Sequence, residues 1–262
     1  MHIYIHVPFC RKKCVYCGFA SIPVDQEAVL AYIQTVIREI KLRAQHISDR
    51  QAETVFVGGG TPSLLPISAL DRLLAAVKYF FPWSKDAEIS LEANPDSVHN
   101  AEQVRAWQEL GVNRISLGVQ SLDRNTLRFL GRSHTLEQAE SAVQYLKQSS
   151  VHNFGLDLIW GIPGQDAGSW IKTVQKALAW HPAHLSLYSL SVEPKTPLAR
   201  LDDTNCLEWP DEQDWEQMFL GAHELLVQSG YEHYEISNYA LPDRQCRHNS
   251  KIWQGEEYIG FG

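Results

Sequence analysis

The sequence of 262 residues lacks features that mark several common classes of protein. No apolar run approaches the ~20 residues that a transmembrane helix requires. Basic residues are outnumbered, with 23 Lys and Arg against 31 Asp and Glu, and the net charge of −8 argues against a nucleic-acid partner. No signal peptide precedes the first apolar segment, so we expect a cytoplasmic protein.

Cysteines are also few, and their number and spacing argue against a disulfide framework. There are five, an odd number, and Cys10, Cys14 and Cys17 are clustered near the start of the sequence. Cys206 and Cys246 lie far from them and from each other. They supply no second C-x2-C or H-x3-5-H pair to complete a zinc tetrahedron. We therefore expect a reducing compartment.

What the sequence does contain is a C-x3-C-x2-C array directly after an alternating apolar run at residues 3–7. Thiolate softness selects zinc, copper(I) or an iron–sulfur cluster. Three protein ligands on a four-iron cube leave one iron open, where a substrate or cofactor can bind. The array favours such a cluster over a zinc knuckle or three unrelated core cysteines.

Strands alternate with helices through the first 190 residues, as in βαβ units of a parallel sheet. Six strands are predicted, near residues 3–7, 54–57, 88–92, 114–119, 154–159 and 184–190. Helices are predicted at residues 26–44, 66–80, 101–110, 124–130, 136–148, 168–180 and 211–228. Six units indicate an α/β fold, an open partial (β/α)6 barrel of the TIM type. In such barrels, functional residues gather at the C-terminal ends of the strands.

We divide the chain at residue 190. Residues 1–190 are predicted to form the partial barrel, and residues 191–262 a proline-rich crossover loop, a helix and the start of a C-terminal region. The sequence stops in a short glycine-rich apolar stretch at residues 258–262, so we expect a truncated extension.

Several strand ends carry candidate ligand-binding residues. Glycines at positions 58–60 allow a ligand to approach the backbone, although an ordinary strand–helix turn explains them too. Glu92 is either a ligand anchor or a solvated charge, and Gln120 is a similar case. Asp157 interrupts an apolar strand and needs a ligand or an ion-pair partner. Arg132 is a candidate for that partner or for binding a ligand carboxylate.

A separate candidate lies near the end of the sequence. His248 and Asn249, with Cys246 and Trp253 nearby, suit a stacking patch or an axial ligand for a flat iron-containing cofactor, since histidine ligates heme iron. A surface or capped histidine explains the same residue.

Eight segments together resemble one family, the oxygen-independent coproporphyrinogen III oxidase-like proteins that use a radical derived from S-adenosylmethionine (SAM). They occur in the family's order and cover nearly the whole chain: residues 4–10, 58–63, 92–95, 116–121, 130–135, 157–165, 193–197 and 235–239. An aromatic residue just before the last cysteine of the array, here Tyr16, is also usual in radical SAM loops.

The resemblance implies a [4Fe-4S] cluster on Cys10, Cys14 and Cys17, with SAM bound at the open iron. In this family, the reduced cluster cleaves SAM to a 5′-deoxyadenosyl radical. The implied SAM contacts, some of which serve a second SAM in the oxidases, are Tyr4, Tyr16, Gly59, Gly60, Thr61, Glu92, Gln120, Arg132, Asp157 and the backbone of Ser191.

Two features separate the branches of this family. The oxidases, which convert two propionates of coproporphyrinogen III to vinyl groups, have a longer N-terminal extension and a fourth cysteine where this chain has Phe19. Both differences favour the HemW-type branch of heme chaperones. That branch has an H-N-x-x-Y-W-like motif implicated in heme binding. Here it begins at His248, with Ile252 in place of the aromatic residue.

The resemblance thus implies a chaperone that binds a [4Fe-4S] cluster, SAM and heme and delivers heme to a respiratory acceptor protein. Membrane contact is expected to be peripheral, through that acceptor, and a flavodoxin-like protein is the expected electron donor. One alternative is an enzyme, an oxidase acting on a tetrapyrrole. The other is a family member that keeps the barrel without chemistry, against which the intact cysteines and SAM-site residues argue.

Overall fold

The computed structural model describes residues 1–48, 50–149 and 151–262. The strands found there are β1 (His2–Val7), β2 (Phe9–Cys10), β3 (Ile22–Pro23), β4 (Ala52–Gly59), β5 (Trp83–Ala93), β6 (Arg114–Gln120), β7 (Phe154–Trp160), β8 (His184–Ser189), β9 (Glu232–His233), β10 (Asn238–Ala240) and β11 (Tyr258–Phe261). The α-helices in the same ranges are α1 (Gln26–Ala44), α2 (Ile67–Phe80), α3 (Ala101–Glu109), α4 (Arg124–Phe129), α5 (Leu136–Lys147), α6 (Ala167–Leu178), α7 (Pro197–Asp202), α8 (Glu212–Gln228) and α9 (Arg247–Trp253).

The main sheet has the strand order β11-β1-β4-β5-β6-β7-β8-β10-β9. Strands β11 to β8 in this order are mutually parallel, and the predicted six-stranded α/β core is confirmed in β1 and β4 to β8. Helices between consecutive strands provide the crossovers that parallel pairing requires. The predicted helices are also present, with ends within two residues of those expected.

The structure adds strands at both edges of the predicted core. The segment at residues 258–262, expected to be an interrupted glycine-rich end, contributes β11, which pairs with β1 from His2↔Tyr258 to Ile5↔Phe261. At the other edge, β10 and β9 continue the sheet antiparallel to β8. These strands are two to four residues long, too short for an alternating pattern to reveal them. Residues 191–262 thus supply strands to the same sheet, and the division at residue 190 stays a prediction.

Helix boundaries follow local capping chemistry. The Asp25 side chain accepts a hydrogen bond from the Ala28 N–H and caps α1, whose buried face includes Val29, Ile33 and Ile40. Helix α7, in a stretch predicted to be loop, begins with a proline at its first position behind the cap residue Thr196. Proline is favoured there because that N–H has no partner inside the helix. No helix of the described ranges is long and apolar enough to cross a bilayer.

Alternation along the strands separates the core from the cavity side. In β1, Ile3, Ile5 and Val7 are fully buried in the main apolar core. In β5, Leu91 is likewise buried in that core, whereas its neighbour Glu92 faces the inside of the curved sheet and lines a cavity. Successive side chains of a strand point to opposite faces of the sheet. A polar residue next to a core residue on these strands therefore faces the cavity.

The short helix α9 lies against the inward face of β1 and β4 and is fixed by a buried carboxylate. Glu88 of β5 accepts hydrogen bonds from the backbone N–H groups of Arg247 and His248, each at 3.1 Å. The Cys246 thiol lies 3.7 Å from the same carboxylate. Glu88 therefore satisfies N–H groups that have no partner within the helix.

We expect Glu88→Ala to lower the free energy of unfolding by about 2 kcal/mol, because two buried N–H groups lose their acceptor. Urea unfolding measures this cost, and amide exchange should accelerate in α9. Glu109→Ala, at an exposed position at the end of α3, is the matched control. Equal costs for the two variants would show that Glu88 does not anchor α9.

Candidate functional site

A cavity of about 570 Å³ opens at the C-terminal ends of the parallel strands. The cysteine loop forms one wall, and the ends of β4 to β8 form the other. All but two of the residues predicted for the cluster and cofactor sites line it: Cys10, Cys14, Tyr16, Cys17, Gly59, Gly60, Thr61, Glu92, Gln120, Arg132, Asp157 and Ser191. The two exceptions, Tyr4 and His248, line a second cavity.

The cysteine loop is attached to the barrel by backbone hydrogen bonds on both sides. Val15 donates its N–H to the carbonyl of Leu130 at 3.2 Å and accepts from the N–H of Leu198 at 2.9 Å. The carbonyl of Cys10 accepts from Val24 at 2.9 Å. Because these bonds reach three separate segments, the loop has a defined position over the strand ends.

The three thiols of this loop are half-buried and interact with one another. Burial raises the pKa of the Cys17 thiol; a hydrogen bond from the Phe19 backbone opposes the rise, and Cys14 and Cys10 add to it. A bound iron centre offsets such a rise, since metal ligation requires the thiolate. In the described ranges, no group of three or more His, Cys, Asp or Glu side chains is arranged so that it could hold a metal ion. The fit to a multi-iron cluster therefore rests on the shared loop and its thiol ligands.

The glycines at the end of β4 bring the backbone against this loop. Gly60 donates its N–H to the Val7 carbonyl at 2.8 Å. A Cβ at Gly60 would lie 2.6 Å from the Phe9 carbonyl oxygen and 3.0 Å from the Cys10 sulfur. Gly59 has φ of 113°, in the region that side chains disfavour, and its N–H donates to Glu92 at 3.0 Å. An ordinary strand–helix turn does not require this close approach.

Gly60→Ala is expected to lower SAM affinity at least tenfold, about 1.4 kcal/mol, since the cysteine loop must move away from the added methyl group. Equilibrium dialysis with labelled SAM on the iron-loaded protein measures the change. Gly260→Ala in β11, where an added Cβ meets nothing within 4 Å, is the control. Unchanged affinity in Gly60→Ala would separate this turn from the SAM site.

Two carboxylates face each other inside the cavity. Asp157 accepts from the Ser116 hydroxyl, which lies 3.0 Å from both of its oxygens. Burial raises the pKa of Asp157, and burial with the nearby Asp157 charge raises the pKa of Glu92 to about 8. Arg132 instead donates hydrogen bonds to Asn94, Gly118 and Cys14. The acidic pair thus suits a ligand with an ammonium group or hydroxyls.

Gln120, at the end of β6, has a backbone φ of 66° and sits at a shift in the register between β6 and β7. A non-glycine residue in this region is uncommon and costs free energy that the surrounding structure must offset. Gln120 lines the cavity, so its unusual backbone conformation lies at the proposed ligand site.

Sequence reasoning missed several polar residues of the cavity wall. They include Asn94, Ser116 and Tyr188. Tyr188 lies near the end of β8, Asn94 directly follows β5, and Ser116 is the third residue of β6. Asn94 and Ser116 fall within segments that carry the family resemblance. Their spacing along the chain could have revealed them, because side chains two residues apart on a strand face the same side. Tyr188 is two residues from the inward-facing Ser186, and Asn94 is two residues from the inward-facing Glu92.

The second cavity, of about 330 Å³, lies between the inward face of the sheet and α9. His248 is only 2% exposed there; its Nδ1 is 2.7 Å from the Thr54 hydroxyl, and burial lowers its pKa to about 4. Its Nε2 is buried without a hydrogen-bond partner in the described part of the chain. The Tyr4 hydroxyl is 3.2 Å from Nδ1 of His6, and burial raises the Tyr4 pKa. Heme ligation by His248 stays a prediction.

An open parallel sheet with a three-cysteine loop over its C-terminal strand ends defines a radical SAM protein. The sequence-family model of the radical SAM superfamily matches residues 4–177 of the chain. A heme chaperone HemW from Escherichia coli is 37% identical over the whole chain, which covers 68% of that relative. Another from Synechocystis is 40% identical over 99% of the chain, which covers 64% of it. The chain therefore belongs to the radical SAM superfamily and, within it, to the HemW family.

A solved structure gives the same picture of the fold. The radical SAM enzyme coproporphyrinogen III oxidase (HemN) from Escherichia coli superposes with a TM-score of 0.86 at 25% identity, over 99% of this chain and 62% of that one. The chain thus spans less than two thirds of that protein and of the Synechocystis relative.

Membership of the superfamily implies a [4Fe-4S] cluster and SAM, and the residues present fit both groups. The fit to a cluster rests on Cys10, Cys14 and Cys17 on one loop. The fit to SAM rests on the glycine turn beside that loop and on the facing carboxylates of Glu92 and Asp157.

Proposed function

We propose that this chain is the cofactor-binding part of a cytoplasmic heme chaperone that binds a [4Fe-4S] cluster, SAM and heme and delivers heme to a respiratory protein. The observation that carries the proposal is the 37% identity to the Escherichia coli heme chaperone HemW along the entire chain. Phe19 supports it, because this residue stands where the oxidases have a fourth cysteine. It is 64% exposed and lines the cavity.

In this proposal, Cys10, Cys14 and Cys17 hold the cluster and leave one iron for SAM. A cluster held by these residues would supply one-electron reduction of SAM. The protein's own part is to position SAM and to limit its contact with water. Glu92 and Asp157 accept hydrogen bonds from ammonium and hydroxyl groups, and the glycine turn at the end of β4 admits the ligand next to the cluster loop.

Heme, the acceptor and the electron donor complete the proposal. His248 is the proposed heme ligand, with Trp253, which is 74% exposed at the end of α9, available for stacking. The partners are a respiratory acceptor, with peripheral membrane contact through it, and a flavodoxin-like donor. The names of the HemW relatives support heme delivery; the acceptor and the donor are inferred from the resemblance.

A second candidate is the oxidase reaction, which the structural match to HemN over 99% of the chain favours. One anaerobic experiment separates the two functions. The cluster is reconstituted, heme is titrated by absorbance, and coproporphyrinogen III turnover is assayed with SAM and a reductant on the same sample. We expect saturable heme binding without vinyl products. Formation of protoporphyrinogen would overturn the chaperone proposal, and so would a cluster-loaded protein that binds no heme.

A further inference from the structure

A chain of hydrogen bonds joins two of the three cluster cysteines through Asn94, which follows β5. The Asn94 amide nitrogen donates to the Thr61 hydroxyl at 3.0 Å, and the Thr61 hydroxyl lies 3.8 Å from the Cys10 sulfur. On its other side, the Asn94 amide oxygen accepts from Nη2 of Arg132 at 2.8 Å. Nη1 of the same guanidinium donates to the Cys14 sulfur at 3.4 Å.

The direction of every hydrogen bond in this chain follows from Arg132. A guanidinium group only donates, so the Asn94 atom that faces it must be the oxygen. The amide nitrogen then faces Thr61 and must donate to its hydroxyl oxygen. The hydroxyl proton of Thr61 is left free to point at Cys10. Asn94 therefore directs one donor toward each of two cluster sulfurs.

The surroundings hold Asn94 in this orientation. Pro95 restricts its backbone to the extended conformation, which it adopts with φ of −108° and ψ of 148°. Nη2 of Arg132 also donates to the Gly118 carbonyl at 2.7 Å. A Cβ at Gly118 would lie 2.9 Å from the Asn94 amide oxygen, so the glycine provides the space that the amide occupies.

We propose that Asn94 is a positioning residue that raises the reduction potential of the cluster by orienting Thr61 and Arg132 toward the sulfurs of Cys10 and Cys14. This inference rests on the proposed cluster, whose thiolates those two sulfurs represent. Hydrogen bonds and positive charge at the sulfurs stabilise the reduced, more negative cluster and are among the factors that set its potential. The cluster is therefore easier to reduce than a cluster on the same cysteines would be without the donors Thr61 and Arg132.

The test is a redox titration of the reconstituted protein, monitored by electron paramagnetic resonance and performed without SAM. For Asn94→Ala we expect the ratio of reduced to oxidised cluster at a fixed potential to fall about tenfold, which is ~59 mV for a one-electron couple. Asn94→Asp should shift the potential further. A carboxylate draws the Thr61 proton away from Cys10 and partly cancels the Arg132 charge. Asn125→Asp, an exposed position in α4 with the same change of charge, is the control.

A second pair of variants tests the Thr61 arm independently. Thr61→Val keeps the shape but removes the hydroxyl and should lower the potential, whereas Thr61→Ser should restore most of it. In the Thr61→Val background, Asn94→Ala should lower the reduction potential less than it does in the wild type, because the Thr61 hydroxyl that Asn94 orients is already absent. Additive effects would show that Asn94 does not act through Thr61.

The outcomes also separate this inference from the proposed function. A wild-type protein that takes up no cluster would refute the function. Variants of Asn94 with full iron content and an unchanged midpoint potential would refute only the role of Asn94. If Asn94→Ala does not load the cluster, the Thr61→Val and Thr61→Ser pair decides the matter, and equal potentials in those two proteins would overturn the inference.

Discussion

Cys14→Ser is expected to leave the purified and reconstituted protein with almost no bound iron, whereas Cys206→Ser should retain the wild-type content. Cys14 lies on the loop over the strand ends and receives a hydrogen bond from Arg132, while Cys206 is exposed in the segment between α7 and α8. A cube with two thiolate ligands exposes a second iron to solvent and loses stability. Iron and sulfide analysis with the visible absorbance of the cluster measures the result.

A change in folding does not account for this expected loss. Serine is close to cysteine in size, and Cys14 is only half-buried, so the circular dichroism spectrum and unfolding midpoint of the iron-free variant should match those of the iron-free wild type. Cys10→Ser and Cys17→Ser should behave alike. Full iron content in any of the three variants would mean that the loop is not the site of the cluster.

The second large effect is a dependence of stability on pH that originates at Glu92. In the ligand-free protein, burial and the nearby Asp157 charge raise the pKa of Glu92 from 4.5 to about 8. The folded state then holds this proton more tightly than the unfolded state. Stability is therefore highest below pH 4.5 as far as this group is concerned, decreases as the pH rises toward 8, and is constant above it.

Glu92→Gln should remove this contribution. At pH 8 we expect the variant to be more stable than the wild type by roughly 2–4 kcal/mol. This is less than the full pKa shift implies, because the open cavity admits water. At pH 4.5 the two proteins should have similar stability. Its SAM affinity should nevertheless fall at least tenfold, since an uncharged amide attracts a ligand ammonium less. Urea unfolding at both pH values and dialysis with SAM measure the two effects.

Opposite signs for stability and affinity would identify Glu92 as a residue retained for binding at a cost to the fold. Glu109→Gln, an exposed position with the same change of charge, should alter neither quantity. A loss of stability in Glu92→Gln at pH 8 would instead indicate that the carboxylate has a structural role.

Much of the barrel could be predicted because local signals agree along the chain. For α1, the cap at Asp25 and the periodic apolar residues coincide, and the observed ends match the predicted ones. The edge strand β11 could not be predicted, since its four residues acquire strand structure only by pairing with β1, which is remote in sequence. Helix α9 was missed for a similar reason: its anchor is Glu88 of β5, which no local pattern connects to it.

The candidate site was predictable where residue chemistry is distinctive and less so where partners decide the role. The three cysteines and the glycine turn, singled out from the sequence, line one cavity, and their roles stay predictions. The hydrogen-bond partners of Arg132 were not evident from the sequence, because an arginine can satisfy its donors with neutral acceptors as well as with a carboxylate. Arg132 donates hydrogen bonds to Asn94, Gly118 and Cys14, and none to Asp157 is found among the described residues. Only the three-dimensional structure separates these choices.

The position of β1 in the sheet has a consequence for the order of events during synthesis on the ribosome. Its two neighbours are β4, made shortly afterwards, and β11, made at residues 258–261. Pairing of β1 with β4 requires closure over residues 8–51, whereas pairing with β11 must await nearly all of this sequence. Until residues 247–261 have emerged, the nascent barrel keeps one side of β1 unpaired and its inner cavity uncovered, although the cysteine loop is already complete. Completion of the sheet at β1 is therefore a late event, which follows synthesis of the cysteine loop by more than 200 residues.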